Sequence, residues 1–204
     1  MSPTSNSEFI VLASASPRRK EILSGMGATF RVLSADVSED CDITDPVALT
    51  RELARRKGAA TLEELKTLGE DEGAIIISAD TVVACDARVL GKPHSEQEAM
   101  EMLSLISGRS HTVFTGIAVT YKGVTHVDHS ETTVEVDDIP YEEIMKYIRS
   151  GDPFDKAGSY GIQGRFSQWV RGIDGCYFGV VGLPVNKLAA LFYTVVGRYP
   201  DEIK

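Results

Sequence analysis

The sequence is poor in cysteine and contains no long run of apolar residues. Its cysteines, Cys41, Cys85 and Cys176, are odd in number and far apart, which argues against a disulfide framework and against a zinc site. A reducing, cytoplasmic compartment is therefore expected. No apolar run approaches the roughly 20 residues of a membrane-spanning helix, and the opening stretch MSPTSNSEF lacks the basic and apolar regions of a secretory signal. These absences predict no association with a membrane.

Positive charge is also scarce, because 21 lysines and arginines face 30 acidic residues and the net charge is −9. This balance argues against binding of polymeric nucleic acid or of an anionic membrane by bulk charge. A cluster of basic residues in such a chain therefore marks a local site. With 204 residues, 43% of them hydrophobic, the chain can form one sizeable core. We expect a flexible tail over residues 1–8 and a single domain over residues 9–204.

Strand and helix patterns alternate along the chain, which predicts an α/β domain with a mixed sheet. Strands are predicted over 9–14, 29–33 and 74–78, the last buried on both faces because it is continuously apolar. The alternation in HTVFTGIAVTYKG and TTVEVDDI predicts a long hairpin that turns at Lys122 and Gly123. The predicted helices are one capped by Ser16 that ends near Gly25 or Gly27, one from Asp45-Pro46 to about Leu68, one from the capping box of Ser95 and Glu98 to Ile106, one after Pro140, and a last one with Leu188, Leu191, Phe192, Val195 and Val196 on one face.

The stretch LASASPRRKEIL, residues 12–23, places two arginines and a lysine on the first turn of the first helix. Cations there oppose the helix dipole, which costs a few tenths of a kcal/mol up to roughly 1 kcal/mol. A strand end, a serine-rich turn and a helix N-terminus together form an anion site with free backbone N–H groups. Arg18 and Arg19 can fold around an oligophosphate, whereas the alternative is a capped helix with a solvated basic surface. The unfavourable placement favours the phosphate site.

Three further charged residues are candidates for a site. Lys57 shares a helical stripe with Leu49 and Leu53, so its stem packs along apolar surface or its ammonium faces a negative ligand, and spacing leaves both open. Asp80 follows the buried run AIIISA, and open α/β sheets place their sites at the carboxyl ends of strands. The alternative for Asp80 is an aspartate that caps a turn. Lys92, in the turn GKP, is either another fixed cation or an ordinary turn residue.

The stretch DKAGSYGIQG is dense in glycine, with glycines at 158, 161 and 164. It is neither the dinucleotide-binding fingerprint nor a Walker A loop. Its glycines indicate close approach of the backbone or positive φ angles. Gln163 can both accept and donate in one plane, which matches the edge of uracil or thymine. Hairpin loops without a ligand produce similar sequences, so the pattern alone leaves both interpretations open.

Six motifs in order, LASASPRRKEIL, SADTVV, LGKP, SGRSHTVFTG, DKAGSYGIQG and VVGLP, resemble those of the Maf family of nucleoside triphosphate pyrophosphatases, over roughly residues 9–196. The resemblance implies a twisted mixed sheet flanked by helices, in two lobes around a deep groove, and a homodimer. It implies metal-dependent hydrolysis of a nucleoside triphosphate to the monophosphate and pyrophosphate, with Mg²⁺ or Mn²⁺. The GIQG form is similar to that of the subgroup acting on dTTP, UTP and modified pyrimidine nucleotides. The alternative is a non-catalytic nucleotide-binding regulator of cell division and septum formation.

The resemblance also implies roles for individual residues. Asp80 is the expected catalytic residue, which would orient or deprotonate the water that attacks the α-phosphorus. Asp80 and Glu39 are the expected metal ligands. The expected substrate-binding residues are Ser14, Arg18, Arg19, Lys57, Thr81, Lys92 and Gln163. One departure lies beside a metal ligand: Ser38 precedes Glu39 in a segment where many relatives carry a second aspartate.

Overall fold

A mixed β-sheet runs through the computed structural model, which describes residues 7–204. Its strands are β1 (Phe9–Leu12), β2 (Phe30–Val32), β3 (Ala74–Cys85), β4 (Arg88–Leu90), β5 (Ser110–Tyr121), β6 (Val124–Val136) and β7 (Val170–Asp174). The order across the sheet is β2-β1-β3-β5-β6-β7, and β4 pairs with β3. β1 runs parallel to β2 and β3, and the other pairs are antiparallel. The predicted mixed sheet and the hairpin turn at Lys122 and Gly123 are confirmed.

Helices flank the sheet in the part of the chain that the structure describes. They are α1 (Pro17–Gly25), α2 (Pro46–Leu68), α3 (Glu96–Ile106), α4 (Tyr141–Arg149), α5 (Tyr177–Val181) and α6 (Val185–Val196), with 3-10 turns at Asp152–Asp155, Ala157–Ser159, Arg165–Trp169 and Pro200–Glu202. The five predicted helices are confirmed. Over residues 7–204, no helix is both long enough and apolar enough to cross a membrane.

Most of the predicted tail, residues 1–6, lies outside the described residues. Glu8, at the other end of the predicted tail, contacts the chain at two places. It accepts a hydrogen bond from the hydroxyl of Tyr121 and forms an ion pair with Arg198. These contacts join the residue before β1 to β5 and to the chain after α6.

The N-termini of α1 and α2 are capped differently. The Asp45 side chain caps α2 by accepting a hydrogen bond of 2.7 Å from the backbone N–H of Ala48. Ser16 stands at the N-cap of α1, as predicted, but its side chain makes no capping bond. Instead, the Ser16 backbone N–H donates to the Ser14 hydroxyl over 3.3 Å. The N-terminal N–H groups of α1 are therefore not capped by Ser16.

Strand β3 is longer than predicted, because it continues from Ala74 to Cys85 instead of ending at residue 78. Its partner β5 pairs with it residue by residue as far as Ala84, and the β-branched residues after Asp80 suit an extended conformation. Asp80 therefore lies in the middle of a strand, opposite Gly116, and the prediction that it follows the strand end is wrong.

Strand β3 is buried on both faces, as its apolar run predicts. Ile75 and Ile77 belong to the larger hydrophobic core, which includes the inner faces of α3, α4 and α6. Ile76 belongs to a smaller cluster with Val11 and Leu65, on the side covered by α2. Successive side chains of β3 thus point to opposite faces of the sheet and pack into two different hydrophobic clusters.

Helix α2 crosses β3 and β5 at very short distance. A Cβ added to Gly116 would lie 2.3 Å from the backbone carbonyl of Thr50, so only glycine permits this approach. Further along the helix, the buried Ser78 hydroxyl donates to the Ala54 carbonyl over 2.7 Å. Ser78 and Asp80 are two residues apart and so point to the same face of the sheet. The packing of α2 therefore places Lys57 directly over Asp80.

Candidate active site

A cleft opens along a free edge of β3. On that edge β1 pairs with β3 as far as Ile77, and β4 pairs with it only from Val83 onward. Among the described residues, positions 78–82 of β3 therefore pair with β5 on one edge and with no strand on the other edge. The cleft has a volume of about 630 Å³, and its walls come from α1, α2 and the segment 152–164. The groove that the resemblance implies is thus present, beside the carboxyl end of β1.

At the centre of the cleft, the ammonium group of Lys57 lies between two carboxylates. Its Nζ is 2.5 Å from Asp80 Oδ1 and 2.8 Å from Glu39 Oε1. The Asp80 side chain is 10% exposed and that of Lys57 is 19% exposed, so this pair is largely shielded from solvent. The Lys57 ammonium faces the cleft, as one of the two interpretations left open by spacing requires, and its anionic neighbours there are the carboxylates of Asp80 and Glu39.

The electrostatics of this group follow from its geometry. Burial favours the neutral form of Lys57, but the Asp80 and Glu39 carboxylates outweigh it and raise the pKa of Lys57 above its ordinary value. Burial likewise opposes ionisation of Glu39, yet the hydrogen bond from Lys57 lowers the pKa of Glu39 below its ordinary value. This geometry therefore favours the charged forms of Lys57 and Glu39.

Arg19 is fixed in place by three acceptors. Its Nε donates to the Gly182 carbonyl over 2.8 Å, and its two terminal nitrogens donate to the Ser14 hydroxyl and the Thr81 hydroxyl over 3.3 and 3.2 Å. Thr81 also shares a hydrogen bond of 2.9 Å with Thr115 on β5. Burial lowers the pKa of Arg19, which remains charged because the ordinary value is so high. Arg19 is therefore a rigid cation in the cleft wall.

Arg18 reaches the opposite wall of the cleft. Its guanidinium lies 3.1 Å from the carboxylate of Asp155, and the two side chains are 27% and 61% exposed. The other oxygen of Asp155 accepts from Lys156 over 2.6 Å. Unlike Arg19, Arg18 is held by a single exposed ion pair, which leaves its remaining donors for a ligand.

The predicted site residues are brought together in two adjoining cavities. A smaller cavity of about 370 Å³ adjoins the cleft on the side of the turn between β1 and α1. The predicted residues that line it are Ser14, Arg18, Arg19, Glu39, Lys57 and Lys92. Asp80, Thr81 and Gln163 line the larger cleft, together with Arg18, Arg19, Glu39, Lys57 and Lys92. The cations are therefore shared by the two cavities, whereas Gln163 lines only the larger cleft.

Four charged residues of the cleft wall were not predicted as site residues; one is Glu21 on α1, and the other three lie together in the segment 152–164. Asp152, Asp155 and Lys156 all line the cleft. Lys156 is 10% exposed and binds both aspartates, at 2.9 and 2.6 Å. The only signal for Asp155 and Lys156 was the motif DKAGSYGIQG itself, because the partner of Asp155 across the cleft is distant in the sequence, and Asp152 lies outside that motif.

Known proteins are similar to this chain over most of its length. The model of the family described as "Maf-like protein" matches residues 9–195. A dTTP/UTP pyrophosphatase of Thermococcus kodakarensis is 43% identical over 93% of this chain and 100% of its own length. One of Agathobacter rectalis is 44% identical over 88% of this chain and 93% of its own length.

A solved structure, the Staphylococcus aureus Ham1 protein, is 16% identical, covers 80% of each chain and has a TM-score of 0.46, too low to support an argument. The family model and the two pyrophosphatases each match most of the chain. The chain belongs to the Maf family.

Proposed function

We propose that this protein hydrolyses nucleoside triphosphates, with dTTP, UTP and modified pyrimidine nucleotides as its substrates, to the monophosphate and pyrophosphate. The relatives named dTTP/UTP pyrophosphatase support this activity, since they match nearly the whole chain. One observation carries the proposal: Lys57 lies between Asp80 and Glu39 in a cleft whose wall contains two arginines. A site for binding alone needs the cations but not the carboxylates.

The distribution of charge gives the orientation of the substrate. Arg18, Arg19, Lys57 and Lys92 line both cavities, and the start of α1 contributes its backbone. Phosphate groups are favoured at helix N-termini and beside arginine donors. Ser14 and Pro17 line only the smaller cavity and Gln163 lines only the larger cleft, so the proposed orientation puts the triphosphate in the smaller cavity and the base in the larger cleft near Gln163. In this proposed orientation the α-phosphate lies between the cations and the base, close to Asp80.

Asp80 is the proposed general base. It would orient the attacking water and accept its proton, while pyrophosphate leaves from the α-phosphorus. Lys57 holds the Asp80 carboxylate in one orientation and adds positive charge where the phosphate carries negative charge. Arg19, fixed by Ser14 and Thr81, supplies a donor that does not have to reorganise on binding.

A divalent cation fits the donors of this site. Asp80 and Glu39 are hard oxygen donors held 2.5 and 2.8 Å from one Lys57 nitrogen, and Mg²⁺ is typically bound by one or two carboxylates together with substrate phosphates. Over residues 7–204, no group of three or more His, Cys, Asp or Glu could hold a metal ion, so phosphate oxygens would complete the shell. When bound, Mg²⁺ or Mn²⁺ would neutralise phosphate charge and lower the pKa of the attacking water.

Gln163 is the proposed reader of the base. It is exposed in the cleft, between the buried Ile162 and an exposed glycine. Its amide can accept from N3–H and donate to O4 of uracil or thymine. Cytosine presents an acceptor and a donor at these positions, so an amide held in the orientation that matches uracil makes CTP a poor substrate.

The test is chromatography of the products from UTP, dTTP, CTP, ATP and GTP with Mg²⁺ or Mn²⁺. We expect pyrophosphate and the monophosphate, fastest from UTP and dTTP, and no pyrophosphate from the Asp80→Asn variant. Release of orthophosphate would instead identify a general phosphatase. Tight binding of UTP by calorimetry without turnover under any metal would identify the nucleotide-binding regulator.

We further propose that the protein acts as a homodimer in a cytoplasmic compartment. The family resemblance supports the dimer, and α5 exposes Tyr177 and Phe178 to 38% and 44%. Cys41, Cys85 and Cys176 are all free thiols, which supports a reducing compartment. Sedimentation equilibrium of the wild type and of Phe178→Ser tests the dimer, and a monomeric wild type would contradict it.

A further inference from the structure

The segment that carries Gln163 is held by side chains behind the cleft wall. Tyr160 and Ile162 point into the core, with exposures of 5% and 8%. The residue between them, Gly161, lies in the wall of the cleft. Its backbone N–H donates to the hydroxyl of Tyr147 over 3.2 Å. This bond fixes the chain two residues before Gln163.

Tyr147 belongs to α4 and does not line the cleft. It is 1% exposed, and its ring packs against Phe166 and Trp169 with centroids 5.6 and 6.3 Å apart. Its hydroxyl donates to Asp152 Oδ2 over 2.6 Å while accepting from Gly161. Burial, and then the Asp152 carboxylate, raise the pKa of Tyr147, so its hydroxyl keeps the proton that it donates. A hydroxyl in an aromatic cluster is costly unless it is paired, and here both of its hydrogen bonds lead to the cleft wall.

Lys156 completes the network from the side of the cleft. Its ammonium is 2.9 Å from Asp152 Oδ1 and 2.6 Å from Asp155 Oδ1. Its stem lies against Gly161, where an added Cβ would be 2.7 Å from the Lys156 Cε. Burial would raise the pKa of Asp152, but the hydrogen bonds from Lys156 and Tyr147 outweigh it and lower the pKa. Gly161 is therefore held on one side by the Tyr147 hydroxyl and on the other by the Lys156 stem.

We propose that Tyr147, with Asp152 and Lys156, positions Gln163 for reading the base, so that base selectivity depends on a hydroxyl outside the cleft. The inference rests on the proposed function, since Gln163 is the reader there. The network also extends to the part of the site proposed to bind the triphosphate, because Asp155 binds both Lys156 and Arg18. Tyr147 is a positioning residue, because its hydroxyl binds the backbone N–H of Gly161 and does not contact the ligand.

The experiment compares Tyr147→Phe with Tyr141→Phe, a control on the same helix whose side chain is 63% exposed. Phenylalanine keeps the ring packing and removes only the hydroxyl. We expect the ratio of kcat/KM for UTP to that for CTP to fall by about five- to tenfold, the effect of one net hydrogen bond, and the control to keep the wild-type ratio. A role in stability alone would lower the melting temperature and leave the ratio unchanged, and that result in folded Tyr147→Phe would overturn the proposal.

Three further measurements keep the inference independent of folding and of turnover. If Tyr147→Phe does not fold, Lys156→Met, which keeps the stem against Gly161, is tested in its place, and an unchanged ratio overturns the proposal.

Calorimetric titration with UTP and CTP without divalent metal gives the same ratio from binding. A wild type that discriminates in binding but releases no pyrophosphate contradicts the proposed function only, whereas equal discrimination by wild type and variant contradicts the positioning role only. Hydrogen exchange of the Gly161 amide should be faster in Tyr147→Phe than in the control.

Discussion

The guanidinium of Arg18 lies 3.1 Å from the Asp155 carboxylate across the cleft, although 137 positions separate the two residues in the sequence. A triphosphate must compete with this carboxylate for the arginine. Both side chains are partly or largely exposed, so the ion pair is worth at most about 1 kcal/mol. It is therefore a weak contact that a ligand can replace.

The first prediction follows for Asp155→Asn. The variant removes a negative charge beside the triphosphate and keeps an oxygen for Lys156, so UTP should bind up to about fivefold more tightly. Calorimetry without divalent metal measures this change at low salt. The control is Glu135→Gln, which breaks a similar surface pair with Arg171 on another part of the protein. Weaker binding by Asp155→Asn would contradict the competition.

The second prediction separates the two arginines. Arg19→Lys leaves acceptors at Gly182, Ser14 and Thr81 without the planar donor, which should lower the free energy of unfolding by about 1–2 kcal/mol. Arg18→Lys loses only an exposed pair, so its melting temperature should stay at the wild-type value while kcat/KM for UTP falls. Thermal unfolding and kinetics of both variants give the comparison. Equal melting temperatures for the two variants would mean that the Arg19 contacts do not stabilise the fold.

The third prediction concerns the loss of folding stability that His111 causes at low pH. Its Nε2 lies 2.6 Å from the Tyr160 hydroxyl, and burial lowers the pKa of His111 to about 4. The unfolded chain binds this proton below about pH 6.5, whereas the folded chain binds it only near pH 4, so stability is lost as the pH falls through this window. The loss should approach about 3 kcal/mol at pH 4.

Denaturant unfolding between pH 4 and pH 7 measures that loss. The variant His111→Gln should show a smaller slope of stability against pH, because its side chain does not titrate. His126→Gln removes an exposed histidine and serves as the control. Parallel curves for wild type and His111→Gln would assign the acid sensitivity to other groups.

The helices and most strands were predictable because their signals are local. Asp45 and Pro46 mark the start of α2, and the turn at Lys122 and Gly123 follows from alternation on both sides. The end of β3 was not predictable, because a charged Asp80 interrupts the apolar run and only pairing with β5 shows that the strand continues. Tertiary contacts decide such a boundary.

For the site, too, local signals were predictable from the sequence and contacts between distant residues were not. The cations of the SPRR stretch were predictable from their conflict with the helix dipole, and the structure places Arg18 and Arg19 in the cleft wall. Their separate roles were not, since the partners Asp155 and Thr81 come from distant parts of the chain. For Lys57, spacing left two interpretations open. The packing of α2 on the sheet directs its ammonium at Asp80 and Glu39 in the cleft, and its role in binding a ligand stays a prediction. The catalytic and metal roles of Asp80 and Glu39 stay predictions.

The fourth prediction tests that packing through Gly116. An added Cβ would lie 2.3 Å from the Thr50 backbone, so Gly116→Ala must move α2 away from the sheet. Overpacking of this kind costs about 1–3 kcal/mol, and the shift should also separate Lys57 from Asp80 and lower kcat. Gly25→Ala, where nothing lies within 4 Å of the added Cβ, is the matched control. Normal stability and turnover of Gly116→Ala would show that the helix adjusts without loss.

The last prediction concerns the pair at the centre of the cleft. Asp80→Asn keeps size and shape but removes the proton-accepting oxygen, so kcat should fall by roughly 10²–10⁴. Lys57 keeps Glu39 as a partner at 2.8 Å, so the fold should survive with a modest loss of stability. Neutralising Glu39 as well, in the variant Asp80→Asn/Glu39→Gln, leaves the partly buried Lys57 ammonium without a carboxylate partner and should lower the melting temperature further. Kinetics and thermal unfolding of both variants separate the two effects. Near-normal turnover in Asp80→Asn would exclude it as the general base, and a collapsed melting temperature in the single variant would make it a structural residue.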